Sequence, residues 1–345
     1  MKRIPILALA LAACSTTAGV PLSESATHDD DGASTYDDED GDDGQGDDRG
    51  EETGGGPGDD SGVPPDVGDG TDGAVDPEPG IHPECPRPLP PEWVFCADFE
   101  DAADPSETFF EYEDADGAFV PVEGGAASGL RSMEATYHEG VESAGWLSVA
   151  FGRNPIVFGA APQYADGTDF AEIYWRLRVK MEAGWPDVGP HHLSRVSAFA
   201  AEDWLQAMTA RLRSDGDGVL LVADPSSCVN GDQVACSAYE DVDVEKSLGA
   251  LAGAFPLFSA AESGEWHCIE AHVRLNTPSV PDGVLEFWID GELQNQSTEL
   301  DWRGSWAGYG LNLVTIDNRW TGGAPKELRR RVDDLVIATQ PIGCE

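Results

Sequence analysis

Positively charged side chains are scarce in this sequence. Its 345 residues include 20 Lys and Arg against 65 Asp and Glu, which gives a formal net charge of −45. Because so negative a surface repels phosphate, we expect no nucleic acid partner. The sequence also lacks a phosphate-binding loop, a cluster of zinc ligands and a nucleophile elbow, so these three kinds of active site are not expected.

An apolar run long enough to cross a bilayer as a helix is missing from the N-terminal region. The apolar stretch 4–13 has about ten residues, whereas a spanning helix needs about 20. Lys2 and Arg3 precede this stretch, which ends in Leu-Ala-Ala and is followed by Cys14. This layout predicts a secretory signal peptide over residues 1–13.

The Leu-Ala-Ala-Cys ending resembles a bacterial lipobox, in which the cysteine is acylated and becomes the mature N-terminus. The resemblance implies lipidation of Cys14, and Ser15 in place of an aspartate implies sorting to an outer membrane. Two or more acyl chains anchor a protein stably, since each buried methylene contributes about 0.8 kcal/mol. We therefore expect an exported, lipid-anchored protein at the outer membrane or cell surface that contacts the membrane only through this anchor. An ordinary cleaved signal with a chance cysteine is the alternative.

Large apolar side chains are almost absent from residues 14–80. Residues 15–80 contain 21 Asp and Glu and a single basic residue, Arg49, among many Gly, Ser, Pro and Thr residues. Such a segment cannot bury enough apolar surface to offset chain entropy, and its like charges repel one another. We expect a disordered acidic linker. Calcium capture by the acidic runs is the alternative, although no run has EF-hand spacing.

Residues 81–345 contain all ten tryptophans and are expected to form one folded domain. Apolar and polar side chains alternate over 172–181 and again over 285–290, as in strands with one buried face. The Asp-Gly pair that ends the second run is a hairpin signal and predicts pairing with 292–296. Residues 245–254 could form a short helix or a long loop. The pattern predicts an all-β fold, a jelly-roll sandwich of two antiparallel sheets.

Seven cysteines are present, and lipidation of Cys14 leaves six for disulfides in an exported chain. Six cysteines allow 15 pairings; proximity along the chain favours two short-range pairs, and the third would tie a strand to the C-terminus. The expected pairs are Cys85–Cys96, Cys228–Cys236 and Cys268–Cys344. A metal site at Cys228 and Cys236 is disfavoured, because no Cys-x-x-Cys spacing and no nearby histidine support it.

Five segments of the folded part carry a family resemblance. They are Phe-Cys-Ala-Asp-Phe-Glu (95–100), Gly-Glu-Trp-His-Cys-Ile-Glu (264–270), Val-Arg-Leu-Asn-Thr (273–277), Asp-Gly-Val-Leu-Glu-Phe-Trp-Ile-Asp-Gly (282–291) and Val-Asp-Asp-Leu-Val-Ile (332–337). Over residues 93–343 the sequence is similar to the concanavalin A-like jelly rolls, and more narrowly to their polysaccharide-lyase-type branch. The resemblance implies the fold. It leaves the activity open, because this superfamily includes lectins, hydrolases, lyases and adhesion modules.

Two motifs of the superfamily are missing. Its glucanases carry a Glu-x-Asp-x-x-Glu strand for retaining hydrolysis, but Glu286, Asp290 and Glu292 have the wrong spacing. The Lys-Leu-Pro-Gly-Leu-like segment of some lyases is also absent, and His-His-Leu-Ser-Arg at 191–195 occupies its place. No catalytic residue is therefore carried over from the family.

Residues 172–213 carry six basic and five acidic side chains, whereas the rest of the folded part is strongly acidic. If neighbouring strands share one concave face, as the resemblance implies, these residues would form a basic groove for an anionic glycan. Uronate lyases remove the proton next to a carboxylate, and they need a cation to neutralise it and His or Tyr as base and acid. The candidate catalytic residues are Tyr174, Arg176, His191, His192, Arg195 and Arg211. The alternative is that these side chains are solvated or paired with carboxylates.

A binding module needs only aromatic platforms and polar groups, because tryptophan stacks on the faces of sugars. The candidate ligand-binding residues are Trp185, Trp204, Trp302, Trp306 and Trp320, together with Asn312, Asn318 and Arg319. Plain core packing is the alternative for these tryptophans. We expect Trp175 and Trp266 to lie in the core.

Carboxylates on the first and last strands of the folded part form a further constellation. Asp98 and Glu100 follow the first strand, and Asp333 and Asp334 lie in the last. If these strands are neighbours, as they often are in jelly rolls, the four carboxylates would suit a structural Ca²⁺ ion. Acidic edge strands without a metal are the alternative.

These observations predict a surface lipoprotein whose jelly-roll domain binds extracellular polysaccharide. The alternative is a polysaccharide lyase that cleaves a uronate-containing glycan by β-elimination. A purely structural role in the envelope is a distant third. The oligomeric state and the identity of the glycan are left open.

Overall fold

The structure is a computed structural model that describes residues 84–101, 104–237 and 244–344. These residues all belong to one unit of the chain, Gly73–Glu345. The predicted signal peptide (1–13), the lipidation of Cys14 and the acidic linker (14–80) lie outside the described residues. None of the helical structure in the described part is long and apolar enough to span a membrane.

Strands make up almost all of the regular structure in the described residues, which confirms the all-β prediction. The single short helix, α1 (Pro105–Thr108), is capped by the Asp104 side chain, which accepts a hydrogen bond from the Ser106 N–H. The first ten strands are β1 (Trp93–Ala97), β2 (Glu111–Glu113), β3 (Phe119–Glu123), β4 (Arg131–Tyr137), β5 (Ser143–Phe151), β6 (Gln163–Tyr164), β7 (Glu172–Met181), β8 (His192–Phe199), β9 (Gln206–Ser214) and β10 (Leu221–Ser227). The others are β11 (Val229–Asn230), β12 (Gln233–Val234), β13 (Lys246–Ser247), β14 (Leu251–Ala252), β15 (His267–Arg274), β16 (Gly283–Ile289), β17 (Glu292–Leu300), β18 (Leu313–Arg319) and β19 (Leu328–Ala338).

Two large sheets organise these strands. Sheet I has the order β17-β16-β15-β7-β19-β4-β3, and β1 also pairs with β19. Sheet II has the order β13-β10-β9-β8-β18-β5-β2, with β14 on β10 and β6 on β5. All pairs are antiparallel except the short β5–β6 pair. Strands β7 and β8 follow each other in the chain but belong to different sheets, and this separation decides where the predicted site residues lie.

The core lies between the inner faces of the two sheets. In β7 the side chains of Ile173, Trp175 and Leu177 are fully buried in one apolar cluster, which also contains Leu147 and Val149 of β5 in sheet II. Because successive strand residues point to opposite faces, the residues between them face outward. The alternation therefore correctly identified these strands, and Trp175 is confirmed as core. Trp266 is only half-buried, which corrects its assignment to the core.

The turns follow the sequence signals in most places. Strand β16 pairs with β17 as predicted, with Ile289 opposite Glu292. The β9–β10 hairpin closes at Gly218, which has a φ of +76° and whose added Cβ would lie 2.3 Å from the Val188 carbonyl carbon. Residues 245–254 form the short edge strands β13 and β14 on β10 rather than a helix.

All three predicted disulfides are present. Cys85–Cys96 holds the segment before β1 against that strand, and Cys228–Cys236 closes the β11–β12 turn. Cys268–Cys344 ties β15 to the C-terminal segment. In this C-terminal segment the backbone N–H groups of Ile342 and Gly343 donate to the carboxylate of Glu270, which lies in β15. The segment is therefore held by both covalent and polar contacts.

The span of each disulfide predicts its contribution to stability. Cys268–Cys344 closes a separation of 76 residues and Cys228–Cys236 one of 8 residues. On the chain-entropy account the free energy of unfolding should fall by about 4.5 kcal/mol without the long-range disulfide and about 2.5 kcal/mol without the short one. The double variants Cys268→Ala/Cys344→Ala and Cys228→Ala/Cys236→Ala should be compared by guanidinium unfolding. Equal losses would contradict the entropic explanation.

Candidate functional site

The outer face of sheet II carries a row of polar residues that crosses six strands. Cross-strand pairing aligns them in one line, because each is the register partner of the next. From β2 to β10 this central row reads Glu111, Ser148, Thr315, Arg195, Arg211 and Asp224. Ser148 and Thr315 are small and buried, and their hydroxyls lie 3.0 Å apart. The sheet surface is therefore low between Glu111 and Arg195.

A groove of about 540 Å³ opens over this low part of sheet II. The lining residues that matter for its chemistry are Glu111, Trp146, Arg195, Trp204, Asp317 and Arg319. Trp146 is the cross-strand partner of Asp317. Trp204 lies in the β8–β9 connection with a φ of +62° and packs edge-on against Phe199, with 5.5 Å between ring centroids. The half-buried indoles of Trp146 and Trp204 thus share one concave surface with carboxylate and guanidinium groups.

His192, Arg195 and Asp317 form a polar cluster on the outer face of sheet II, and two of its members, Arg195 and Asp317, line the groove. Asp317 Oδ2 lies 3.1 Å from His192 Nδ1 and 3.1 Å from Arg195 Nη1. All three side chains are partly exposed, between 11 and 16%. The Nδ1 contact implies that His192 donates that proton to Asp317, which leaves Nε2 as the nitrogen able to exchange a proton with a ligand.

A β-bulge brings His192 and Arg195 to the same face of the sheet. Residues three apart in a regular strand point to opposite faces. In the β8–β9 pair the register shifts between His192 and Ser194, so that His192 is opposite Arg213 and Arg195 is opposite Arg211. The extra residue on β8 resets the alternation, as bulges commonly do beside binding sites.

Asp317 remains ionised over the whole physiological pH range. Burial alone would raise the pKa of this carboxyl, but the hydrogen bond from His192 and the charges of Arg195, His192 and Arg330 outweigh burial and lower the pKa to about 2. Glu111 shows the opposite behaviour. Burial raises its pKa, and the hydrogen bond from Ser148 and the charge of Arg195 only partly offset this effect.

A buried arginine from the other sheet supports the cluster from below. Arg330 of β19 is fully buried and donates to the carbonyl oxygens of His192 (2.7 Å) and Asp317 (3.0 Å). It also donates to Asn318 Oδ1 at 2.7 Å, and its guanidinium lies 5.4 Å from the centroid of the Tyr137 ring. One side chain of sheet I therefore fixes the backbone of two site residues on sheet II.

The predicted basic groove is wrong. Of the basic residues in 172–213, Arg176, Arg178 and Lys180 lie on β7 in sheet I, and those of β8 and β9 lie in sheet II. Those residues are matched by carboxylates, because Arg211 binds Glu245 through two 2.9 Å hydrogen bonds. The remaining pairs are Arg213–Asp224 and Arg195–Asp317. The outer face of sheet II is therefore charge-balanced rather than basic.

Tyr174 and Arg176, two of the predicted catalytic residues, do not reach the groove. They lie on the outer face of sheet I, where the Tyr174 ring stacks on His272 with centroids 4.1 Å apart. Arg176 is buried. It pairs with Glu84 in the segment before β1 and donates to the Gly343 carbonyl at 3.0 Å. The correction follows from topology, since β7 lies between β15 and β19 in sheet I.

His191 lies in the core rather than in a catalytic site. It is fully buried, and its ring contacts Trp185, Trp320 and Phe258. Burial first, and then the charges of Arg330 and His192, lower its pKa well below the usual value, so this histidine stays neutral. Of the adjacent pair, only His192 lies on the outer face of sheet II, where it contacts the groove residue Asp317.

Most of the predicted ligand-binding residues are also buried. Trp185 and Trp320 pack edge-on against Tyr137 inside the sandwich, and Trp302 is fully buried, so none of the three can serve as a platform. Trp306 is half-buried and packs against the core.

The two predicted asparagines are structural. Asn312 bridges to the backbone N–H and carbonyl of Phe199, and Asn318 accepts from Arg330. Trp204 and Arg319 are the predicted binding residues that line the groove.

Three groove residues were missed. Asp317 lies between buried Ile316 and Asn318 in β18, and Trp146 lies between buried Gly145 and Leu147 in β5. The period-two pattern was therefore sufficient to place Asp317 and Trp146 on an outer face. Glu111 belongs to a three-residue strand, which is too short to show a period.

Each of the four carboxylates considered for calcium has at least one partner in the protein. Asp98 accepts from the Cys85 N–H and Asp333 from the Ala127 N–H, while Asp334 binds Ser128 and Arg178. Glu100 accepts from two backbone N–H groups, those of Leu130 and Arg131. Burial and the neighbouring Asp334 raise the pKa of Asp333 to about 8. Within the described part of the chain, no group of three or more potential ligands is placed to hold a metal, and calcium stays a prediction.

Comparison with known proteins shows the fold. No protein-family model and no curated protein matches the chain. The solved structure of the PL-14 alginate lyase from Aplysia kurodai is similar, with 14% identity, a TM-score of 0.50 and coverage of 72% of this chain and 99% of that chain. The endo-β-1,4-glucuronan lyase from the fungus Trichoderma reesei has 10% identity, a TM-score of 0.50 and coverage of 72% and 96%. The chain shares the all-β jelly-roll fold of these two structures. At these identities the likeness establishes the fold alone.

The support provided by Arg330 predicts a large effect on stability. In an Arg330→Met variant the acceptors on His192, Asp317 and Asn318 lose their buried donor, so the free energy of unfolding should fall by about 3 kcal/mol or more. Arg329→Met is the matched control, because Arg329 is 53% exposed and its ion pairs lie at the surface. That variant should change stability by no more than about 1 kcal/mol. Equal losses in urea unfolding would contradict the assigned role of Arg330.

Proposed function

We propose that the groove of sheet II binds a uronate-containing polysaccharide and that the protein cleaves it by β-elimination. The observation that carries this proposal is the His192–Asp317–Arg195 cluster at a groove flanked by Trp146 and Trp204. The fold neighbours support the substrate class, since their names identify an alginate lyase and a glucuronan lyase.

The proposed reaction begins at the carbon next to the uronate carboxylate. A base removes the proton from that carbon, the electron pair forms a carbon–carbon double bond, and the glycosidic C–O bond breaks. Negative charge develops on the carboxylate as the proton leaves, so a nearby cation lowers the barrier. The chemistry therefore requires a cation, a base and a proton donor within one groove.

The cluster supplies two of these groups. Arg195 lines the groove, and its guanidinium is the proposed cation that neutralises the substrate carboxylate. His192 is the proposed base, acting through Nε2. Asp317 holds its Nδ1 proton and stabilises the imidazolium that forms, as a carboxylate does for a catalytic histidine. The depressed pKa of Asp317 keeps the negative charge on the carboxylate during this transfer.

Binding without cleavage is the second candidate function. The observation that favours it is the charge balance of the sheet II face, where Arg195, Arg211 and Arg213 each already contact a carboxylate. A protein that only binds a glycan needs no free cation, because stacking on Trp146 and Trp204 with polar contacts would suffice. The two candidates share one groove and differ in turnover.

The location of the protein is part of the proposal. We propose that it is exported and lipid-anchored through Cys14 at the outer membrane or cell surface, so that the folded domain meets extracellular polysaccharide. Support comes from the sequence around Cys14 and from the three disulfides, which are typical of exported proteins.

Turnover can be tested by ultraviolet absorbance of the unsaturated uronate ends. The purified protein should be mixed separately with alginate, glucuronan, pectate and glycosaminoglycans, and absorbance should rise with at least one. His192→Ala and Arg195→Ala should each lower the rate by about 100-fold or more. Arg213→Ala is the control, since Arg213 forms an equivalent ion pair on the same sheet face without lining the groove. A flat trace with every polymer would exclude the lyase and leave the binding function.

Aromatic stacking can be tested by affinity for an oligosaccharide of the substrate polymer. Trp146→Ala and Trp204→Ala should each weaken binding threefold to tenfold, which corresponds to about 0.5–1.5 kcal/mol per stacked ring. Trp288→Ala is the matched control, because Trp288 is a half-buried tryptophan on the outer face of sheet I. If calorimetry gives the same dissociation constant for all three variants, the groove does not hold the sugar.

A further inference from the structure

Glu111 is a groove residue to which the reaction described above gives no role. It lies on β2 at the end of the central row, and Ser148 and Thr315 separate it from Arg195. Three strand spacings, about 14 Å of backbone, separate Glu111 from Arg195. The side chains of Glu111 and Arg195 therefore stand on opposite sides of the floor formed by Ser148 and Thr315. Both side chains line the groove.

We infer that Glu111 is a further catalytic residue, the acid that protonates the departing glycosidic oxygen. This inference rests on the proposed function, since it names the proton donor of the same β-elimination. An alkoxide of a sugar is a poor leaving group, so the C–O bond breaks readily only when the oxygen receives a proton as it departs. Arg195 and Glu111 would bind opposite sides of one glycosidic linkage.

The proton balance of the step is complete with these residues. His192 takes the proton from the carbon beside the carboxylate, and the electron pair left behind forms the double bond. The C–O bond breaks and its electrons remain on the oxygen, which takes the proton of Glu111. The products are an unsaturated uronide and a saccharide with a free hydroxyl group. Glu111 is then a carboxylate and His192 an imidazolium, and both return to their starting states by exchange with water.

The surroundings of Glu111 shift its carboxyl towards the protonated form. Burial raises its pKa, whereas Asp317 in the same groove is held ionised by His192 and Arg195. Two carboxyl groups whose environments shift their pKa values in opposite directions are the usual arrangement for assigning an acid in an active site. Ser148 is the cross-strand partner of Glu111, and its hydroxyl lowers the pKa of Glu111 by less than burial raises it.

The other charged groups around Glu111 are less suited to the role. Arg195 faces it from β8, Asp317 and Arg319 from β18, and Glu142 from the residue before β5. Asp317 is ionised, and Glu142 is 57% exposed beside Arg319. Glu113, on the same strand, is exposed. Among the described carboxyl groups that line the groove, Glu111 alone combines burial with a raised pKa.

The test compares two leaving groups in the full chain carrying Glu111→Gln. On the natural polymer, kcat should fall by about 100-fold with little change in KM, because glutamine keeps the shape but cannot donate an acidic proton. On a synthetic uronide whose leaving group is a nitrophenolate, which departs without protonation, the rate should stay within about threefold of the unmodified protein. The alkaline limb of the pH–rate profile should disappear in the variant.

Control variants separate a catalytic role from a structural one. Glu113→Gln removes a carboxylate two residues along the same strand, and it should leave kcat and the pH profile unchanged. Glu111→Asp keeps the acid on a shorter side chain and should recover part of the lost rate on the polymer. Thermal unfolding should show that the glutamine variant keeps its fold.

The outcomes distinguish this inference from the proposed function. If the unmodified protein cleaves the polymer and Glu111→Gln cleaves it equally well, the inference is wrong and the lyase function stands. Equal losses on the polymer and on the nitrophenolate substrate would also overturn the inference, because the residue would then act in binding or folding. If the unmodified protein cleaves neither substrate, the proposed function itself fails, and Glu111 has no elimination to assist.

Discussion

The arrangement of the site depends on one buried cation that connects the two sheets. Arg330 extends from β19 through the core and donates to the backbone of His192 and Asp317 on the opposite sheet. Burying a guanidinium is costly unless its donors find partners, and the carbonyl oxygens of these strands supply them. The same contacts fix the strand ends from which His192, the proposed base, and its partner carboxylate project. The geometry of the site therefore depends on the packing of the core.

The fold could be predicted from the sequence where local patterns report a buried face or a covalent link. The alternation around Trp175 and the spacing of the six cysteines correctly predicted strands and disulfides. The site could be predicted only in part, because sequence proximity does not reveal sheet membership. Arg176 and Arg195 lie close in the chain but face outward from different sheets. A histidine pair such as His191–His192 likewise divides between core and groove, and only tertiary packing decides which is which.

Charge pairing would allow a groove on so acidic a protein to bind the anionic sugar proposed as its ligand. The arginines of β8 and β9 neutralise the carboxylates beside them, so the groove is not a strongly negative surface despite the net charge of −45. The bulge in β8 then places His192 on the same sheet face as Arg195. Neither feature leaves a sequence signal, since both depend on which residues are cross-strand neighbours.

The position of a bound uronate oligosaccharide would decide whether the groove of sheet II is the binding site. A crystal structure of the protein with an inactivating His192→Ala substitution, soaked in the oligosaccharide, would show which sheet binds it. We predict electron density in the groove of sheet II, with a uronate carboxylate at Arg195 and sugar faces stacked on Trp146 and Trp204. Density on the outer face of sheet I, near Tyr174 and Trp288, would contradict this prediction.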